Sequence, residues 1–86
     1  MTDAEYEGRF QLQQSADRAM EAWNEANVAA ARAERRLARA WSLFERGQQA
    51  PPEADLLYEV NHLRAAANHK LIDAMLHLRA LTEPQG

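Results

Sequence analysis

From Arg9 to Arg46 the chain contains neither glycine nor proline. A stretch that long without either breaker predicts one continuous helix, and the rest of the sequence has to be read against it. Apolar residues recur along it at Leu12, Ala16, Ala19, Trp23, Ala26, Ala30, Ala33, Leu37, Trp41 and Phe44, in steps of 4, 3, 4, 3, 4, 3, 4, 4 and 3. At ~100° per residue these positions share one face, and the alternation of threes and fours is that of a seam against another helix. The two successive fours at Ala33–Leu37–Trp41 drift toward an eleven-residue period, which relaxes a left-handed supercoil locally. Much of the seam is alanine. Small side chains let helix axes approach to the short end of the ~8–10 Å range, but each contributes little hydrophobic free energy. Trp23, Leu37, Trp41 and Phe44 are therefore expected to supply most of the burial, at roughly 2–3 kcal/mol for each large side chain fully removed from water.

The opening residues Thr2-Asp3-Ala4-Glu5 read as a capping box, with Thr2 as N-cap and Glu5 at N3. Asp3, Glu5 and Glu7 place negative charge where the helix dipole favours it, and Gly8 weakens these first turns by about 1 kcal/mol relative to alanine. Tyr6 and Phe10 point well away from the main seam. The single internal break is Gly47-Gln48-Gln49-Ala50-Pro51-Pro52. Gly47 suits the left-handed position just past a helix end, Pro51 biases Ala50 away from helix, and Pro52 suits a first helical position. A connection this short makes the flanking helices antiparallel neighbours. The fold class expected is all-α: one helical-hairpin domain over residues 1–86, with helices at about 3–46 and 53–82, a turn at 47–52 and a short tail at 83–86.

The second helix carries two apolar sets. Leu56, Val60, Leu63, Ala67, Leu71, Ala74, Leu78 and Leu81 form the seam expected to meet the first helix. Tyr58, His62, Ala65, His69, Ile72 and Leu76, in steps of 4, 3, 4, 3 and 4, lie about 180° away. A two-helix hairpin buries only one of them. The first helix also overhangs the second by about 20 Å at ~1.5 Å per residue, with Leu81 expected near Arg18, so that Tyr6, Phe10 and Leu12 have no neighbour within the chain. The predicted partner interface is therefore Tyr6, Phe10, Leu12, Tyr58, His62, Ala65, His69, Ile72 and Leu76, covered by a second copy in a homodimeric four-helix bundle or by another helical protein. The plainer reading is a frayed helix start and a mixed solvent face.

Several function classes are disfavoured. With 86 residues, a single core is marginal. The sequence has no cysteine, so disulfides and thiolate metal sites are absent, which fits a reducing, cytoplasmic setting. Neither an export leader nor an apolar run of ~18 residues is present, and no membrane role is expected. A net charge of −3 gives no overall attraction to nucleic acid. Arg32, Arg35, Arg36, Arg39 and Arg46 form one basic face, interrupted by Glu34 and Glu45. Its ordinary reading is a solvated surface, and its alternative is contact with an anionic partner or nucleic acid. No aromatic residues interleave there to make a stacking platform. Glu59-Val60-Asn61-His62 has the Glu-x-x-His spacing of di-iron bundles, with Glu21 or Glu25 as conceivable partners, but His62 points away from the seam. His62, His69 and His77 are too far apart along one helix for a single site. Across a symmetric interface they would make a metal or pH-sensitive contact, against the ordinary reading of surface histidines. No phosphate loop or paired-carboxylate cleft is visible, and neither serine, Ser15 nor Ser42, has the flanking glycines of a nucleophile elbow. A non-enzymatic interaction module without cofactor is expected.

From Arg35-Arg36-Leu37-Ala38-Arg39 through Gly47 and Pro51-Pro52 to Tyr58 and its leucine-rich seam, about half of the chain resembles the small two-helix co-chaperones of type III secretion needle subunits. The resemblance implies a cytoplasmic hairpin that helps to hold an aggregation-prone secretion subunit. The long first helix and the two tryptophans depart from that pattern.

Overall fold

The computed structural model describes residues 3–83 and consists of two antiparallel helices, α1 (Asp3–Glu45) and α2 (Ala54–Thr82). Together they form a rod of 68 × 17 × 16 Å. The capping box at the start of α1 depends on Thr2, which lies outside the described residues.

Gly47 ends α1 as its position requires. It adopts φ +74°, its N–H donates to the Phe44 carbonyl at 2.9 Å, and the Gln48 N–H donates to the Leu43 carbonyl at 2.9 Å. These two bonds make a Schellman motif, which satisfies carbonyls that the helix end would leave unpaired. At the other side of the turn, Pro52 is not the first helical residue. Glu53, with φ −70° and ψ 149°, is the N-cap, and its carbonyl accepts from Leu56 N–H at 3.1 Å. Pro52 therefore stands one residue before the N-cap of α2, and Asp55 supplies the acidic charge of the first turn.

The core is made almost entirely of alanine. Among the described residues Ala16, Ala19, Ala30, Ala33, Ala67 and Ala74 are buried with Val60, and no large side chain is fully buried. Each of these methyl groups contributes on the order of 0.8 kcal/mol. The expectation that Trp23, Leu37, Trp41 and Phe44 dominate the core is corrected. Trp23 and Leu37 are half-buried, while Trp41 is 51% and Phe44 37% exposed. The cause is register. Arg36 pairs with Glu59, and Arg18 and Ala22 share a cleft with Asp73 and His77. That alignment brings Trp41 level with Ala54, where α2 begins, so the end of α1 faces the connecting loop, not a helix. Trp41 and Phe44 pack on each other instead, with ring centroids 5.8 Å apart at 55°. The same register corrects the placement of Leu81. Arg18 lies beside His77, so Leu81 falls about one turn further along α1, near Gln14, and Leu12 is half-buried rather than fully exposed.

Candidate partner interface

At mid-length, the Arg64 guanidinium on α2 makes a fork onto α1. Nε donates to Glu34 Oε2 at 3.0 Å, Nη2 donates to Glu34 Oε1, and Nη1 donates to Asn27 Oδ1 at 2.9 Å. Arg64 holds the Glu34 carboxyl below its ordinary range, chiefly by these hydrogen bonds and secondarily by its charge, against a partial loss of hydration. A second cross-helix bond runs from Arg36 Nη2 to Glu59 Oε1 at 2.7 Å in a more exposed position. Planar, two-pronged pairing of this kind fixes geometry as well as contributing energy.

Sequence reasoning missed Arg64 and Asn27. The available signal was a row at seven-residue spacing, Leu57, Arg64, Leu71 and Leu78, in which one member is charged. The corresponding row on α1, Met20, Asn27, Glu34 and Trp41, has its two polar members at the matching level.

Outside this seam lies the surface predicted for a partner. Tyr58 is 72% and Ile72 58% exposed, and Leu76, His62, Ala65 and His69 are exposed as well. Tyr6 and Phe10 are exposed on the overhanging first turns of α1. The structure does not bring these two groups together into one patch, because Tyr6 and Phe10 lie beyond the end of α2. Met75 and Leu57, absent from the predicted set, belong with α2's outer surface: both are exposed. Ile72, Met75, Leu76 and Leu78 line an apolar groove closed at its polar end by Arg79 and Thr82. Met75 and Leu57 were missed because neither lies on the strict 4–3 row of the outer face; they occupy the flank between the two seams.

Four of the five arginines of the basic face come together. Arg32, Arg35, Arg36 and Arg39 line a shallow groove with Ala29, Leu63 and Glu59, while Arg46 is not among its lining residues. Arg36 is held by Glu59, whereas Arg32, Arg35 and Arg39 have no ion-pair partner among the described residues. Glu59 is thus engaged with an arginine, and its sequence neighbour His62 is exposed on the far side of α2. Among the described residues no group of three His, Cys, Asp or Glu side chains is placed to hold a metal. His77, half-buried, has its Nδ1 2.8 Å from the Asp73 carbonyl oxygen. No described helix is long and apolar enough to cross a membrane.

No protein-family model matches this chain, and no curated protein or solved structure matches it.

Proposed function

We propose that this protein is a non-enzymatic helical interaction module that works by burying the outer face of α2, and that its working form is a homodimer of two hairpins, four helices in all. The observation that carries this reading is an inversion of size. The interior holds alanines and one valine, while Tyr58, Ile72, Met75 and Leu76 stand in water. Ile72, Met75 and Leu76 share one apolar groove, and an exposed apolar patch of this kind on a small chain marks a site of association. Within this reading, the resemblance to needle-subunit co-chaperones gives the class of cargo: an aggregation-prone helical subunit in the cytoplasm, held through the same face. The test is the mass of the native particle. A tagged chain recovered from its own cells and sedimented without denaturant should run well above the mass of one chain. A particle of single-chain mass would end the reading.

A second reading rests on the arginine groove, lined by three guanidiniums that have no ion-pair partner among the described residues. On that reading the groove takes an anionic surface, such as nucleic acid. Binding should then weaken steeply with salt, and the absence of binding to DNA or RNA at ~50 mM salt would remove it.

A further inference from the structure

We infer that the surface of α2 bearing Leu57, Tyr58, Ile72, Met75 and Leu76 is a self-complementary docking strip, and that its occupant is the same strip of a second copy running antiparallel. This deepens the reading above and rests on it.

The first support is the layout of the strip. At ~100° per residue, Ala54, Leu57, Tyr58, Asn61, Ala65, Asn68, Ile72, Met75, Leu76 and Arg79 fall within a band about 100° wide. Their spacings are 3, 1, 3, 4, 3, 4, 3, 1 and 3, the same read from either end. Reversing the strip about a point between Ala66 and Ala67 therefore maps it onto itself. Asn61 comes level with Ile72 of the second copy, Ala65 with Asn68, Tyr58 with Met75 and Leu57 with Leu76. The bulky apolar side chains sit toward both ends and the small or amide-bearing Ala65 and Asn68 occupy the middle, so each end meets an end. Reversed spacing is common to any such band on a helix, so it is the placement of bulky residues at both ends and small or amide-bearing ones in the middle that suits a twofold interface.

Charge is the second support. From Ala54 to Leu76 the strip contains no ionisable acid or base at neutral pH. At its far end Arg79 comes level with Ala54 of the second copy, beside the acidic Glu53 and Asp55 of that helix start. Arg64, Glu59 and Lys70 lie off the strip, and the first two are already paired with α1. No like charges are forced together.

Area is the third. The chain exposes 6888 Å², whereas a compact monomer of 9.8 kDa exposes about 5,200 Å². The excess, about 1,700 Å² per chain, is about twice the ~800 Å² per partner of a standard stable interface. In the reversed pairing, Phe10 on the overhang comes level with the Gly47–Pro52 turn of the second copy, and the turns of α1 before it project about 10 Å beyond that turn.

Two measurements decide the matter. Sedimentation of the purified chain alone should give twice the single-chain mass, and Ile72→Glu, at a position exposed in the hairpin, should weaken association roughly 100-fold or more while the helical circular dichroism is kept. Register is read by crosslinking, since the native sequence has no cysteine. Asn61→Cys and Ile72→Cys chains, mixed and oxidised, should form a mixed disulfide dimer. Either variant alone should not, because its two thiols would lie ~16 Å apart along the axis, beyond disulfide reach. Crosslinking of each variant to itself with no preference for the mixed pair would overturn the antiparallel strip. A purified chain that stays single at ~100 μM while the native particle is larger would overturn self-docking and leave the interaction module standing. A native particle of single-chain mass would remove both.

Discussion

The two faces of α2 are built on opposite rules. The inner face, at Val60, Ala67 and Ala74, is small and closed. The outer face, at Tyr58, Ile72, Met75 and Leu76, is large and open. On the inner face, shape matters more than the amount of apolar surface, because a methyl group fits only when the two backbones are close. On the outer face the amount matters, because the large side chains have no neighbour within the chain to be shaped against.

This contrast can be broken most sharply at Ala67, which has no exposed surface. Ala67→Leu should destabilise the hairpin by about 1–3 kcal/mol through overpacking, seen as a lower midpoint in thermal or urea unfolding. An unchanged midpoint would mean that the helices are not held as closely as alanine allows. Gly47→Ala is next. It leaves the spacing of the seam alone but forces a side chain into the left-handed region, and should cost about 1 kcal/mol by the same measurement.

The Arg64 fork predicts a pH dependence. The Glu34 carboxyl titrates below its ordinary value in the folded chain, so the unfolded chain binds that proton more readily. Its contribution to stability is complete above the unfolded carboxylate range and is lost as pH falls through the folded value. Stability against urea should therefore drop on acidification through that window, and Glu34→Gln should flatten this part of the profile. An identical slope in the variant would show that the fork does not couple to folding. The smallest effect belongs to the outer face. Ile72→Gln should leave the unfolding of the dilute single hairpin within about 0.5 kcal/mol of the parent, since the side chain makes little of the hairpin's own packing. A large loss there would place Ile72 in the intrachain core and remove the distinction between the faces.

What the sequence made legible follows from how local each signal is. The end of α1 at Gly47 and the antiparallel hairpin were readable because glycine in a left-handed position and a short connection act over a few residues. The outward set Tyr58, His62, Ala65, His69, Ile72 and Leu76 was readable from helical geometry alone. The exposure of Trp41 and Phe44 was not, because they lie on the correct face of α1 but opposite a helix that has not yet begun. Their fate depends on register, which is marked by contacts far apart in sequence, such as the Arg64 fork onto Glu34 and Asn27 at separations of 30 and 37 residues. No window of ten or fifteen residues contains that contact.

The fork has one more consequence. A seam of evenly spaced methyl groups is nearly a ruler without numbers: sliding one helix by seven residues would again set alanine near alanine. Arg64 puts a mark on that ruler. Moved seven residues in one direction it would meet Met20 and Asn27, and in the other Glu34 and Trp41, losing part of its fork either way. A loop lengthened by several glycines would free the helices to slip, yet this one guanidinium should still bring them back to the same notch.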